Sequence, residues 1–174
     1  DFRNNKIFNA APVLQGDMFD AVMNYRFADG VLKFFVDTQN AYTPAQFAAH
    51  LQAIYDDYPR ENNFVLMNLM DSHDTERLGS MVVNPNRMID HASSADRDTS
   101  FSVRNPNAED MKTARLIATF QACYLGAPMI YYGAEAGMWG ADDPDERKPM
   151  VWPDLVYEVE RSHPTGRPRP ADSV

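Results

Sequence analysis

Three short apolar segments alternate with helical patterns along the chain. The apolar segments are Phe19–Tyr25, Phe64–Leu69 and Pro128–Tyr132. Their apolar residues are nearly continuous instead of alternating with polar ones, which is typical of strands buried on both faces of a sheet. We therefore predict three neighbouring parallel strands in sequence order.

The clearest helical pattern follows the first segment. Thr43, Pro44 and Gln46 have the types and spacing of an N-cap, a proline in the first turn and a capping-box partner. The apolar residues at helical spacing behind them are Phe47, Leu51, Ile54, Tyr55 and Tyr58. Pro59 ends this helix, because proline cannot continue the hydrogen-bonding pattern.

Two further helices are predicted, over residues 29–36 and 108–125. The residues expected to line the buried side of the second are Met111, Leu116, Phe120 and Tyr124. Gly126 suits its C-terminal end. Residues 81–107 are polar and predict a long loop or irregular helix.

The order of strands and helices predicts an α/β fold with a parallel sheet. A complete eight-stranded (β/α)8 barrel typically needs about 250 residues, whereas this chain has 174. The pattern therefore predicts one domain over residues 1–174, either a partial TIM barrel or a small open α/β domain. Residues 162–174 are rich in proline and arginine and predict an irregular tail.

Charge and composition narrow the classes of partner. The net charge of −9 disfavours nucleic acid and anionic membrane surfaces, whose protein partners are usually basic. A neutral sugar meets no such objection. No apolar run approaches the roughly 20 residues needed to cross a bilayer. The single cysteine, Cys123, excludes an intrachain disulfide, and we expect a cytoplasmic location. The missing initial Met is consistent with a chain that begins inside a longer protein.

The most informative polar cluster is Asn68–Arg77, directly after the second apolar segment. In parallel α/β proteins, sites form at the carboxyl ends of strands. His73 can donate hydrogen bonds to a ligand, and Asp74 can accept them or face a developing positive charge. The alternative is a loop in which Asp74 or Thr75 caps the next helix.

Two more segments offer weaker signals. Gly133–Gly140 contains Trp139, which can stack on a sugar ring or be buried in a glycine-rich turn. Asp142–Pro149 is acidic, and such loops either bind Ca²⁺ or are held by internal salt bridges such as Asp143 with Arg147. The chain shows no spacing of residues typical of metal ligands, and we expect that no cofactor is required. An acidic loop of this kind is nevertheless compatible with Ca²⁺.

Four segments together resemble the alpha-amylase family of glycoside hydrolases, most closely its neopullulanases and cyclomaltodextrinases. Gly16–Tyr25 resembles the sixth barrel strand, and Asn68–Thr75 resembles the signature region after the seventh. Ala127–Glu135 and Asp142–Trp152 resemble the eighth strand with its turn and the following loop. The resemblance implies a partial barrel containing strands six to eight.

The resemblance also implies site residues. In this family one Asp attacks the anomeric carbon, one Glu donates a proton and a second Asp stabilises the transition state. The last role maps to Asp74, with His73 as a sugar ligand. Asp143 and Arg147 match substrate-binding positions, and Tyr25, at the end of the sixth strand, is a further candidate.

The other two carboxyl groups are not recognisable in this chain. Lys6 lies near the position of the acid, and a lysine with an ordinary pKa of about 10.4 suits that role poorly. We therefore expect retaining hydrolysis of α-glucosidic bonds in starch-like glucans, pullulan or cyclodextrins only in a longer enzyme. The expected partners are a maltooligosaccharide and either the remainder of the barrel or further copies of the chain.

Two alternatives stay open. The chain can be a non-catalytic barrel fragment or a sugar-binding remnant, which an activity assay distinguishes. His73 with Asp74 can instead form a metal pair of a phosphohydrolase. That site needs further ligands, and His50, His91 and His163 show no matching pattern.

Overall fold

The computed structural model describes residues 2–3, 6–89, 98–158, 160–162 and 168–172. Its helices are α1 (Tyr25–Phe35), α2 (Pro44–Asp57), α3 (Leu78–Val83) and α4 (Ala108–Cys123). Its strands are β1 (Phe2–Arg3), β2 (Lys6–Ile7), β3 (Met67–Leu69), β4 (Ala127–Met129), β5 (Glu160–Ser162) and β6 (Pro168–Asp172). The chain divides into two compact units. Unit 1 comprises Asp1–Met70 and Leu116–Met129, and unit 2 comprises Asp71–Arg115 and Ile130–Val174.

Unit 1 contains the parallel pairing that the apolar segments predict. Strand β3 pairs with β4 in parallel, with Met67 opposite Ala127, and an isolated parallel bridge joins Met23 to Met67. The three segments are therefore parallel neighbours in sequence order, as predicted. Sheets β1–β2 and β5–β6 are antiparallel pairs.

The predicted lengths of these strands were wrong, and the predicted burial is confirmed only in the second segment, where Leu66 and Leu69 are buried. Phe19–Tyr25 contributes a single bridge, since Tyr25 already begins α1, and Phe64 ends a 3₁₀ turn with its side chain exposed. In the third segment, Pro128, Ile130 and Tyr132 are exposed. A strand is buried on both faces only where other layers cover both, and apolar composition alone cannot show whether they do.

Buried amide groups connect the parallel elements of unit 1. Asn24 donates from Nδ2 to Asn68 Oδ1 at 2.9 Å, and Asn68 Nδ2 donates to the carbonyl of Leu125 at 2.8 Å. Gln121 Nε2 donates to the carbonyls of Asn68 and Met129, both at 2.8 Å. These bonds satisfy polar groups that would otherwise be costly to bury.

The buried side of helix α4 differs from the predicted one at Leu116, whereas Met111, Phe120 and Tyr124 are half-buried. Leu116 is 55% exposed, whereas Ala114, Ile117 and Gln121 are buried. The side-chain amide of Gln121 makes the two hydrogen bonds described above. Phe120 stacks on Phe27 with ring centroids 5.9 Å apart. The buried side of α4 therefore includes a polar residue with two backbone acceptors.

Helix α1 begins four residues earlier than predicted because Asn24 caps it. The side chain of Asn24 accepts a hydrogen bond from Phe27 N at 3.1 Å. Gly30 permits a close approach of α2, since a Cβ atom there would lie 2.4 Å from His50 Cδ2. The His50 ring also lies 2.8 Å from the carbonyl oxygen of Arg26, which gives this histidine a structural role.

The predicted capping box of α2 is present. Gln46 N donates to Thr43 Oγ1 at 3.3 Å, and Thr43 N donates to Gln46 Oε1 at 2.9 Å. We expect Thr43→Ala to lower the free energy of unfolding by about 1 kcal/mol, because an N-cap acceptor is lost. Denaturant unfolding measures this, with Thr43→Ser as the control that retains the hydroxyl. An unchanged midpoint in Thr43→Ala would show that the box contributes nothing.

Unit 2 contains regular structure where an irregular chain was predicted. Helix α3 overlaps the start of the polar segment 81–107, of which residues 90–97 lie outside the described residues. Strand β6 lies within the tail 162–174 and pairs with β5. Short strands without an apolar pattern form through backbone hydrogen bonds, which composition does not reveal. Among the described helices, none is long and apolar enough to cross a membrane.

Candidate functional site

A tight polar turn displays the first two candidate residues. Ser72 N donates to Thr75 Oγ1 at 2.9 Å, and Asp74 N donates to Ser72 Oγ at 3.1 Å. Ser72 and Thr75 are themselves buried, whereas the side chains of His73 and Asp74 are 64% and 54% exposed. Side chains of the turn therefore accept hydrogen bonds from its own backbone N–H groups. The imidazole of His73 and the carboxylate of Asp74 face solvent.

Asp71 anchors the start of this turn. Its Oδ2 accepts a hydrogen bond from Leu78 N at 3.1 Å, at the beginning of α3. Burial raises the pKa of Asp71, although the hydrogen bond from Leu78 and the charge of Arg77 oppose that change. This buried carboxyl is structural, since it is turned toward the backbone of α3.

Arg147 joins the turn to the acidic loop. Its Nε and Nη2 atoms donate to the carbonyl oxygen of His73 at 2.9 and 2.7 Å. Nη2 also lies 3.1 Å from Asp143 Oδ2 and 3.7 Å from Asp74 Oδ1. The structure thus brings together four of the five residues predicted from the sequence, and the predicted pair of Asp143 with Arg147 is confirmed.

The charges of this cluster are interdependent. Partial burial would lower the pKa of Arg147, but its hydrogen bond with Glu146 and the nearby charges of Asp143 and Asp74 raise it instead. Arg147 therefore remains cationic. Asp74 also lies 3.2 Å from His73, measured from Oδ2 to Nε2, so its two oxygens face different partners.

Tyr25, the fifth predicted residue, belongs to unit 1. It is the first residue of α1, its backbone N donates to Met23 O at 3.0 Å, and its side chain is buried. Its approach to the cluster in unit 2 stays a prediction.

Trp139 is buried in a glycine-rich turn, the second of its two predicted interpretations. Its side chain is buried, and its indole N–H has no hydrogen-bond partner. Gly133 and Gly137 have φ angles of +82° and +79°, which form the glycine-rich turn around it. A buried indole cannot stack on a sugar.

Lys6 lies in β2, with its side chain exposed.

Arg77 is a supporting residue that sequence reasoning missed. It is fully buried, its Nε donates to Glu146 O at 2.7 Å and its Nη1 donates to Tyr132 O at 2.6 Å. Its guanidinium lies 4.8 and 4.7 Å from the ring centroids of Tyr131 and Tyr132. It thereby ties the acidic loop to the segment after β4. The sequence carries no signal for this, because arginine is rarely buried.

Glu146 is the second residue that was missed. Its side chain is fully buried beside Arg147, with Oε1 accepting from Arg147 Nε at 2.9 Å. Its Oε2 is buried without a hydrogen-bond partner. Acidic residues in exposed loops are normally solvated, so its sequence position alone did not distinguish it from Asp143 or Asp145.

The described part of the chain offers no set of ligands for either of the metal sites considered from the sequence. No group of three or more His, Cys, Asp or Glu side chains there is arranged to hold a metal ion. Of the histidines considered for a metal pair with His73, His50 contacts the Arg26 carbonyl. His91 and His163 lie outside the described residues.

Comparison with known proteins identifies the family of the chain. Residues 4–159 match the model of the alpha amylase catalytic domain. The chain is 38% identical to neopullulanase 2 of Thermoactinomyces vulgaris and 36% identical to a cyclomaltodextrinase of Geobacillus thermopakistaniensis (strain MAS1), over 144 residues in each case. Each alignment covers 83% of this chain and 20% of the relative. The chain therefore spans about a fifth of the length of these relatives.

A solved structure shows the same relationship. The cyclic alpha-maltosyl-(1→6)-maltose hydrolase of Arthrobacter globiformis, in complex with that cyclic sugar, superposes with a TM-score of 0.66 at 29% identity. The match covers 84% of this chain and 27% of that one. The mixed α/β architecture with its small parallel sheet is thus part of an alpha-amylase catalytic domain. Because the family model matches nearly the whole chain, this protein belongs to the alpha-amylase family of glycoside hydrolases.

Proposed function

We propose that this chain supplies one side of the active site of a retaining α-glucosidase-type hydrolase. Asp74 stabilises the transition state, and His73, Asp143 and Arg147 bind sugar hydroxyl groups. The observation that carries the proposal is the joining of two loops by Arg147, which leaves the Asp74 carboxylate exposed beside a fixed cation.

The chemistry of this cluster suits a neutral glucan. Hydrolysis passes through an oxocarbenium-like transition state, whose positive charge a carboxylate stabilises. The imidazole and guanidinium donate to hydroxyl oxygens, and Asp143 accepts from hydroxyl hydrogens. Carboxylates carry this chemistry, so the proposal requires no cofactor, and a single cysteine is compatible with a cytoplasmic location.

The remaining catalytic groups are proposed to come from polypeptide outside residues 1–174. A retaining mechanism needs two carboxyl groups about 5–5.5 Å apart on either side of the scissile bond. We place the nucleophile and the acid with the other strands of a (β/α)8 barrel, of which this chain forms strands six to eight as one partial domain. The partner is that remainder or another copy of the chain.

The substrate class is inferred from relatives. The matched proteins are named for cyclomaltodextrins and pullulan, and the matched hydrolase binds a cyclic maltosyl-maltose. We propose starch-like glucans, pullulan or cyclodextrins. The intact mass of the native protein, followed by assays on these glucans, tests the proposal. A native protein that hydrolyses none of them would instead support a non-catalytic, sugar-binding role.

We expect residues 1–174, expressed alone, to show no hydrolysis of starch, pullulan or cyclodextrins. Asp74 can orient a sugar, but without a nucleophile and an acid most of the barrier remains. Reducing-sugar release, measured with host amylases excluded, checks this. Sustained turnover that disappears in Asp74→Asn would contradict the prediction, because the chain would then hold a complete catalytic set.

A further inference from the structure

Glu146 is a buried acid beneath the candidate site, and it is not one of the groups proposed to contact a sugar. It is fully buried, although it lies next to Arg147, whose side chain is 43% exposed. One of its oxygens, Oε2, has no hydrogen-bond partner. A buried carboxylate with an unsatisfied oxygen is costly, so its place beneath an exposed arginine calls for a physical account.

The geometry connects Glu146 to the orientation of Arg147. The Nε–H of Arg147 is shared between Glu146 Oε1 at 2.9 Å and the carbonyl oxygen of His73 at 2.9 Å. The same guanidinium lies 3.1 Å from Asp143. Glu146 thus holds the buried edge of a group whose other edge faces the exposed carboxylates. Without that contact, only one carbonyl would hold Nε.

The backbone of Glu146 is held independently of its side chain. Arg77 Nε donates to the Glu146 carbonyl at 2.7 Å, and Gly140 approaches so closely that a Cβ there would lie 2.9 Å from Glu146 Cα. The backbone from which this side chain extends is therefore fixed relative to the turn that carries His73. A rigid support of this kind is what a precisely oriented binding group requires.

We propose that Glu146 is a positioning residue for Arg147, and that loss of its negative charge on acidification weakens the sugar binding that Arg147 provides. This inference rests on the proposed function, since it deepens the role given to Arg147 there. Glu146 itself touches no substrate in this scheme.

The charge of Glu146 changes in the neutral range. Burial raises the pKa of Glu146 to about 7; the hydrogen bond and charge of Arg147 oppose this, and the charge of Asp143 adds to it. The ionisable or charged groups that face it are Arg147, Asp143, the Tyr131 hydroxyl and Arg77 through the backbone carbonyl. Above pH 7 the carboxylate attracts Arg147, and below pH 7 the neutral acid holds it less firmly.

The test compares Glu146→Gln with the unchanged native protein. We expect KM for a maltooligosaccharide to rise about three- to tenfold between pH 8 and pH 6 in the native protein, with a smaller change in kcat. In Glu146→Gln, KM should be high at both pH values. Glu158→Gln, which changes an exposed glutamate, is the matched control and should retain the native profile.

A second measurement does not depend on activity. The Nε–Hε NMR resonance of Arg147, assigned by its loss in Arg147→Lys, should titrate near neutral pH in the native protein and not in Glu146→Gln. A resonance that does not titrate in the native protein overturns the inference, even if Glu146→Gln fails to fold. A normal titration in a protein that cleaves no α-glucan would leave the Glu146–Arg147 coupling standing and refute the proposed function. A titrating resonance with a KM profile unchanged in Glu146→Gln would overturn the binding consequence.

Discussion

Asp74→Asn is expected to lower kcat of the proposed hydrolase by about a hundredfold or more, while substrate binding changes by less than about tenfold. The carboxylate interacts most strongly when positive charge develops on the sugar ring, so its loss affects the transition state more than the bound substrate. Asparagine keeps the size of the side chain and removes only its charge. Steady-state kinetics on a maltooligosaccharide, together with a separate measurement of Kd, checks both quantities.

Asp56→Asn is the matched control, since Asp56 is an exposed residue of α2 in unit 1. It should leave kcat and Kd unchanged. An equal loss of turnover and binding in Asp74→Asn would assign Asp74 to ordinary substrate binding and contradict its role in the transition state.

Arg77→Ala is expected to lower the free energy of unfolding by about 3–5 kcal/mol, enough to unfold a marginally stable domain. The substitution leaves the carbonyls of Glu146 and Tyr132 without their donor and removes the guanidinium that lies over two tyrosine rings. Because these carbonyls lie in the acidic loop and the segment after β4, unit 2 should lose its order first. Urea unfolding followed by circular dichroism measures the change.

Two variants separate the possible causes. Arg60→Ala removes an exposed arginine and should change the free energy of unfolding by less than about 0.5 kcal/mol. Arg77→Lys retains the charge but not the planar fork, so it should still be clearly destabilising. A free energy unchanged in Arg77→Ala would show that the buried guanidinium does not support the acidic loop.

The elements that were predicted correctly depend on local chemistry. The capping box of Thr43 and Gln46 is complete within four residues, so its sequence pattern is sufficient to place the start of α2. The parallel order of the apolar segments follows from the helices between them, because parallel strands need a long crossover connection whereas a hairpin needs only a short turn. The candidate site residues His73, Asp74, Asp143 and Arg147 were selected because their segments resemble those of a known family, and their role in sugar binding stays a prediction.

The elements that were misjudged depend on distant partners. In α4, Leu116 is exposed whereas Gln121 is buried with two backbone acceptors, neither of which is apparent in the sequence of the helix. Strand β6 exists through its pairing with β5, and neither segment has a distinctive pattern. Burial of the apolar segments depends on which layers cover them, and hydrophobicity alone does not specify those layers.

For the candidate site, the amino-acid sequence was enough to select His73, Asp74, Asp143 and Arg147, and the folded chain brings these exposed side chains together. The groups beneath them emerged only from the tertiary structure. Arg77 and Glu146 are charged residues of a kind usually exposed, and only the folded chain shows that both are buried. The physical reason is that burial and charge pairing are properties of three-dimensional neighbours, and here those neighbours lie up to 69 residues apart in the chain.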